Sequence, residues 1–170
     1  MSARAVQQAK QGVHLGRLSG RVSEWCPAVG SGAPIPTACR VWKGAGELYE
    51  RALAIGEAAL GPDHPTVATY RNNLGSVLQD LGDLEGARAQ LERALTIGEA
   101  ALGPDHPDVG IWRNNLGFVL QDLGDLAGAR AQFERALTVG EATLGPDHPT
   151  VATMRANLDS LRRALHEMPS

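Results

Sequence analysis

Three histidines have the most obvious capacity for chemistry in this chain, because each lies beside an aspartate in a repeated motif. His64, His106 and His148 recur 42 residues apart, each within the run Gly-Pro-Asp-His-Pro. Imidazole and carboxylate groups together suggest a metal site. If the repeats are stacked helical units, however, equivalent residues lie about 8–10 Å apart, whereas zinc–nitrogen bonds are about 2 Å long. The motif therefore predicts a turn, and no metal ion is expected.

Other catalytic signatures do not occur in the sequence. Neither lysine, Lys10 nor Lys43, follows a glycine, so the chain has no phosphate-binding Gly-x-x-x-x-Gly-Lys loop. No serine lies in a Gly-x-Ser-x-Gly elbow. Cys26 and Cys39 have no second cysteine pair with which to bind zinc, so reduced thiols in the cytoplasm are expected. We predict that the protein is not an enzyme and has no cofactor.

An internal repeat of 42 residues is the strongest pattern in the chain. Residues 61–102 and 103–144 are identical at 33 of 42 positions, which indicates a recent duplication. Periods of 20 to 50 residues are typical of solenoids, in which each unit buries its apolar face only by stacking on a neighbour. The repeat therefore predicts an elongated stack of similar units.

The first half of each repeat predicts one amphipathic helix. In residues 61–102 this helix should begin at about Pro65, with Asp63 near its positively polarised end. Gly82 should end it, where a left-handed residue is needed, and Asp83 can cap the next helix. The predicted apolar stripe follows steps of three and four residues through Val67, Tyr70, Leu74, Val77, Leu78 and Leu81.

The second half of each repeat predicts a helix over about Leu84 to Leu102. Gly98, in the middle of this helix, costs about 1 kcal/mol relative to alanine. Gly56 and Gly140 occupy the same place one period away, which predicts that a neighbouring helix approaches closely there. The predicted buried stripe is Leu84, Ala87, Leu91, Ala94, Leu95, Gly98 and Leu102.

The array lacks one helix at each end. Residues 43–60 match only the second helix of a repeat, and residues 145–168 match only the turn and the first helix. Prolines and glycines between residues 23 and 40 exclude a continuous helix there. We therefore expect six helices and an all-α fold, a right-handed α-solenoid of antiparallel helix hairpins. The domain spans residues 43–168, with complete repeats at 61–102 and 103–144.

A basic leader, residues 1–42, precedes the repeats and is predicted to be disordered. It has a net charge of +4, from five basic residues and one acidic residue, whereas residues 43–170 have 11 basic and 18 acidic residues. An acidic solenoid repels phosphate backbones, so no nucleic acid partner is expected. No apolar run approaches the roughly 20 residues that span a bilayer, so no membrane partner is expected.

Both complete repeats carry a longer motif, and each second helix ends in Leu-Gly-Pro-Asp-His-Pro. The motif residues are Asn73, Leu74, Gly75, Leu78, Gly82, Ala87, Leu91 and Ala94 in the first repeat, and Asn115, Leu116, Gly117, Leu120, Gly124, Ala129, Phe133 and Ala136 in the second. The pattern resembles the tetratricopeptide repeat, specifically its 42-residue kinesin light chain-like form. The resemblance covers about residues 44–167.

This resemblance implies a binding site, because first helices in that family line a concave groove that binds peptides. Asparagines there hold the peptide main chain, and an amide suits this role because it both donates and accepts. The groove residues it implies here are Asn72, Asn73, Asn114, Asn115, Asn157, Ser76, Phe118, Gln79 and Gln121, with Asp80 and Asp122 beside them. Selectivity would come from differences between repeats, Thr69 against Ile111 and Ser76 against Phe118. The same asparagines could instead bond between adjacent hairpins.

The last predicted helix departs from the motif at three positions. Asp159 replaces the motif glycine, Arg162 replaces a leucine, and Ala156 interrupts the paired asparagines. We interpret this helix as a polar cap on the array.

The function that these features predict is a cytoplasmic scaffold that binds a peptide or partner protein. Self-association through the exposed terminal helices is one alternative, since each end holds half of a repeat. A second alternative is a detached sensor portion of a larger bacterial signalling NTPase, a setting in which such arrays occur. Scarce lysine with abundant alanine, glycine and proline is consistent with a bacterial source.

Overall fold

The computed structural model describes residues 37–167, with side chains from residue 43 onward. The prediction for the leader therefore lies, up to residue 36, outside the described residues. All regular structure in the described part is helical. The six helices are α1 (Thr37–Leu60), α2 (Pro65–Leu81), α3 (Leu84–Leu102), α4 (Pro107–Leu123), α5 (Leu126–Leu144) and α6 (Pro149–Glu167).

The helices pack in chain order as antiparallel hairpins. Helices α2 and α3 form the first complete hairpin and α4 and α5 the second, and α1 and α6 pack on α2 and α5 respectively. The predicted fold class and the count of six helices are confirmed for the described residues. The first helix, however, begins at Thr37, earlier than the predicted domain boundary at residue 43. Residues 37–60 contain no proline, so the helix can extend back to Thr37 without interruption.

The loop inside each hairpin has the predicted cap residues. Gly82 and Gly124 end α2 and α4 in the left-handed conformation, with φ of 87° and 86°. A side chain is strained in that region, and glycine is not. Asp83 and Asp125 then cap α3 and α5, because the carboxylate of each accepts the backbone N–H three residues later at 2.9 Å.

Capping of the first helices differs from the prediction. His64, not Asp63, is the N-cap of α2, and its Nδ1 accepts the backbone N–H of Thr66 at 3.1 Å. Because His64 precedes a proline, its backbone is extended, and its imidazole ring lies close to the first turn of the helix. Asp63 instead accepts from Arg93 of α3 at 2.6 Å. His106 and His148 repeat this capping, so the interpretation of the motif as a turn is confirmed.

The core is a continuous layer where large side chains meet glycines. A Cβ atom built on Gly98 would lie 2.3 Å from Cζ3 of Trp112, and one on Gly117 would lie 2.6 Å from Cε1 of Phe133. Real Cβ atoms do not approach so closely, so both positions require glycine. The prediction that Gly98 admits a neighbouring helix is therefore confirmed. Gly56 and Gly140 face Tyr70 and Met154 at the equivalent positions, with a less severe approach of 3.1 Å and 3.0 Å.

An arginine in each complete hairpin ties that hairpin to the one before. Arg113 in α4 donates to Glu99 of α3 at 2.5 Å and to Gln132 of α5 at 3.0 Å. Arg71 makes the equivalent bonds to Glu57 and Gln90. Because each arginine side chain is only about one-sixth exposed, at 16–17%, these bonds are partly shielded from water and stronger than fully exposed ion pairs.

Candidate functional site

The five asparagines of the predicted groove lie on the first helices, and most of them bond to one another. Asn115 in α4 donates its Nδ2 to Oδ1 of Asn72 in α2 at 2.9 Å. Asn157 in α6 repeats the bond with Asn114 at 3.0 Å. Each bond joins one hairpin to the next, so these amides hold the solenoid together. The interpretation of the asparagines as bonds between hairpins therefore describes their contacts in the structure.

The pattern of these bonds explains where the asparagine pairs occur. The second asparagine of each pair donates to the first asparagine of the preceding hairpin. A hairpin with neighbours on both sides therefore uses its second asparagine toward the preceding hairpin and its first asparagine toward the next one. Ala156 stands at the first position in α6, and no later hairpin among residues 37–167 would use an amide there. Asn73 is the one second-position asparagine without a bond of this kind to a described residue. It accepts from Asn72 within α2 at 3.4 Å, a weak contact.

Replacing Asn115 with alanine is expected to lower the free energy of unfolding by about 1–3 kcal/mol. The change leaves Oδ1 of Asn72, a residue only 7% exposed, without its donor. Urea unfolding followed by circular dichroism measures the loss. Asn73→Ala is the matched control at the equivalent position of the first repeat and should change stability by less than about 0.5 kcal/mol. Equal losses in the two variants would contradict a structural role for the bond between hairpins.

A second polar link runs parallel to the asparagines, nearer the C-terminal ends of the first helices. Gln79 in α2 donates its Nε2 to Oδ2 of Asp122 in α4 at 2.9 Å. Asp80, one period before Asp122, is partly buried, and this desolvation raises its pKa to about 6. Gln121 is half-buried in α4. Gln79 and Gln121 therefore lie at equivalent positions near the C-terminal ends of α2 and α4, and Gln79 helps to join the two hairpins.

The positions that differ between repeats present different surfaces. Thr69 is exposed in α2, and its equivalent Ile111 in α4 is 38% exposed, which is high for a large apolar side chain. Ser76 donates its hydroxyl to the Asn72 carbonyl at 3.2 Å. Its equivalent Phe118 is half-buried and packs edge-on against Phe133, with ring centroids 5.1 Å apart. The second repeat therefore offers more apolar surface than the first.

The arginine contacts were not anticipated from the sequence. The signal is present, since Arg71 and Arg113 each precede an asparagine pair. Their partners lie 14 and 19 residues away, a spacing that no local pattern reveals. Among residues 37–167, no three histidine, cysteine, aspartate or glutamate side chains are grouped closely enough to hold a metal ion. None of the six helices combines the length and hydropathy needed to cross a membrane.

Stacked helix hairpins with small residues at their contacts and polar links between first helices define the class of helical repeat solenoids. A model of the family described as tetratricopeptide repeat matches residues 40–100, 66–137 and 108–167. These matches cover most of the chain, which therefore belongs to the tetratricopeptide repeat family. The resemblance on which the groove prediction depends is confirmed at the level of the family. A search of curated proteins finds no match.

Solved structures place the chain among kinesin light chain-like repeats. A structure titled as nearly identical TPR-like repeats of a Podosopora anserina kinesin light chain has a TM-score of 0.69 and 24% identity, covering 74% of this chain and 60% of that one. BtubC (BKLC) from P. vanneervenii has a TM-score of 0.68 and 27% identity, covering 74% of this chain and 50% of that one. This chain thus spans between half and three-fifths of those structures.

Proposed function

We propose that this chain is a non-enzymatic scaffold that binds a peptide or partner protein along its first helices, α2, α4 and α6. Tetratricopeptide repeats generally mediate protein–protein interaction, and membership of that family is the observation that carries the proposal. The proposed setting is the cytoplasm of a bacterium, and the lysine-poor composition favours the bacterial source.

The polar groups of the first helices can serve a ligand as well as the fold. An asparagine amide has two N–H donors and an oxygen with two acceptor sites. The bond from Asn115 to Asn72 uses one donor of the first residue and one acceptor site of the second. The remaining groups can pair with the peptide bonds of an extended ligand, whatever its sequence. Asn73 contributes no bond between described hairpins, so its amide is the most available.

The differences between the repeats give this proposed groove a preferred ligand chemistry. Ile111 and Phe118 form the apolar part of its surface, and the carboxylates of Asp80 and Asp122 lie farther along the same helices. A ligand with an apolar side chain near Ile111 and a basic side chain near Asp80 would complement both features. We therefore propose a peptide segment that combines an apolar anchor with a basic residue.

The experiment exchanges the distinctive residues between repeats. The double variant Ile111→Thr with Phe118→Ser places the residues of the first repeat in the second, and Asn73→Ala removes one amide. Both variants are immobilised beside the unchanged chain, and proteins captured from lysate are identified by mass spectrometry. We expect at least a tenfold loss of the specific partner from either variant, about 1.4 kcal/mol in binding.

The matched control is Arg88→Ala with Glu92→Ala, which removes an exposed ion pair of 2.8 Å on α3. This control should retain the partner, because the pair lies outside the first helices and because exposed pairs contribute little to stability. Unchanged capture by the groove variants, together with native helicity by circular dichroism, would show that the partner binds elsewhere.

Self-association is the second candidate function, because the terminal helices α1 and α6 each leave a face without a described partner helix. Ile55 of α1 is 67% exposed, although isoleucine is among the residue types most often buried. The proposal of a sensor portion of a larger NTPase stands as a separate prediction. A nucleotide-binding domain encoded beside this chain would support that prediction.

A further inference from the structure

One face of α1, which no described helix covers, is apolar at a position that is buried in both complete hairpins. Ile55 corresponds to Ile97 in α3 and Val139 in α5, which are 2% and 1% exposed. In those hairpins the first helix covers this face, and no described first helix covers α1. Leu48, two turns earlier in α1 and 48% exposed, extends the same helix surface.

Helix α6 is the complementary half of a hairpin, a first helix that is followed by no second helix among the described residues. One side of it packs on α5 and buries Val151, Met154, Leu158 and Leu161. Its other side exposes Ala152, Asp159 and Arg163. In α2 and α4 the corresponding side is covered by the second helix of the same hairpin.

We infer that α6 of one copy docks on α1 of a second copy, so that the two helices complete one hybrid hairpin. This inference rests on the second candidate function and names its interface. The intramolecular hairpins show how a first helix packs on a second helix in this sequence. They therefore predict which residues of the two copies should meet.

An ion pair found in both complete hairpins can be rebuilt between copies. Arg93 pairs with Asp63 at 2.6 Å, and Arg135 pairs with Asp105 at 2.7 Å. The equivalent arginine in α1 is Arg51, and the equivalent aspartate before α6 is Asp147. Both are exposed.

The leader is a poorer match for Arg51 than a second copy. One period before Asp63 the leader carries Arg21 instead of an aspartate. A second copy supplies Asp147 at this position and so provides the charge that α1 needs.

A second charge pair follows from the link between hairpins. Gln79 donates to Asp122 of the next hairpin at 2.9 Å. In the hybrid arrangement the position of Gln79 is taken by Arg163 of α6, and that of Asp122 by Asp80 in the second copy. Arginine facing a partly buried carboxylate is a stronger pair than glutamine facing one.

The apolar contact between copies also meets the size requirement of the hairpin. A Cβ atom on Gly110 would lie 3.0 Å from Cγ1 of Val139, so the residue facing this branched side chain must be small. The equivalent of Gly110 in α6 is Ala152, which would face Ile55 of the second copy. The first complete repeat has the same combination, Ala68 with Ile97, and both residues are buried.

One position makes the contact between copies looser than an intramolecular hairpin. Gly75 and Gly117 give room to Leu91 and Phe133, but the equivalent of these glycines in α6 is Asp159. The equivalent of Leu91 and Phe133 in α1 is Tyr49. The Tyr49 hydroxyl can donate to the Asp159 carboxylate, but the two backbones are held farther apart. The association is therefore weak and reversible. It is also heterologous, so each copy can bind another at both ends and open chains of subunits form.

The test is charge reversal in the full chain, followed by sedimentation velocity over a range of concentrations. We expect the unchanged chain to associate as concentration rises. Arg51→Asp alone and Asp147→Arg alone should each raise the dissociation constant about tenfold or more, because each places like charges at the contact. An equimolar mixture of the two variants should recover association, since every contact between unlike chains then pairs opposite charges.

The controls separate the interface from self-association in general. Arg88→Asp changes the same charge on the outside of α3 and should leave the dissociation constant within about twofold, because surface pairs contribute little. Ile55→Asp, at an exposed site that tolerates a polar residue, should abolish association. A monomer at every concentration would overturn both self-association and this interface. Association that charge reversal leaves unchanged would overturn the interface alone.

Discussion

Replacing Gly98 with leucine is expected to lower the free energy of unfolding by about 3 kcal/mol or more. Leucine favours helices more than glycine does, by roughly 0.8 kcal/mol, so local preference alone would stabilise α3. The tertiary contact opposes this gain. Even the first carbon of the side chain would lie 2.3 Å from the ring of Trp112 and 3.3 Å from Val109, so α4 must move away from α3. Overpacking of this kind costs about 1–3 kcal/mol, and more where rigid rings and backbone must shift.

Gly44 provides the matched control for this variant. It lies in α1, and a Cβ atom built on it meets no atom within 4 Å. Gly44→Leu is therefore expected to raise the free energy of unfolding by up to about 0.8 kcal/mol, the helix preference alone. Urea unfolding of both variants measures the difference. If Gly98→Leu were as stable as the unchanged chain, the close approach of α3 and α4 would be wrong.

Phe133→Ala is expected to cost about 3–5 kcal/mol, the usual range for removing a buried aromatic ring. Phe133 is fully buried and is the largest such side chain in the described core. Its ring fills the space left by Gly117 and packs against Phe118. Alanine would leave a cavity at the centre of the second hairpin, where the helices cannot close in without losing their other contacts. Urea unfolding should show the loss as a lower transition midpoint.

The control for this variant is Phe133→Leu, because leucine is the residue at the equivalent position of the first repeat. Leu91 takes the position of Phe133 and is also fully buried. Phe133→Leu therefore installs a side chain that this hairpin geometry already accommodates, and it should cost less than about 1.5 kcal/mol. A loss as large as that of the alanine variant would mean that the edge-on contact with Phe118, and not the filled volume, holds this hairpin.

Most of the fold could be predicted because its signals are local. The bounds of α2 and α3 match the prediction at Pro65 and Leu102, since proline, glycine and aspartate act within one turn of their own positions. The role of Gly98 could also be predicted. A glycine that recurs every 42 residues, in the middle of a helix of otherwise helix-favouring residues, indicates that a neighbouring helix approaches closely there. The start of α1 was harder, since a region without proline permits a helix but does not require one.

The residues of the candidate site could be predicted from the family resemblance, but their contacts could not. Asn72, Asn115 and Asn157 are groove candidates by motif, and the structure shows them bonded between hairpins. Their availability to a ligand stays a prediction. The sequence also could not show that His64, and not Asp63, caps α2. Both side chains can cap a helix, and Asp63 is instead bonded to Arg93, which is distant in the sequence.

The sequence by itself determined the period, the order and bounds of the complete hairpins, and the places where helices touch. These features depend on backbone preferences and on apolar patterns that act over a few residues. Only the tertiary structure decided how the polar groups pair, because Asn115 with Asn72 and Gln79 with Asp122 join residues 43 positions apart. A side chain with several possible partners chooses among them by distance, and that distance exists only after the hairpins have stacked.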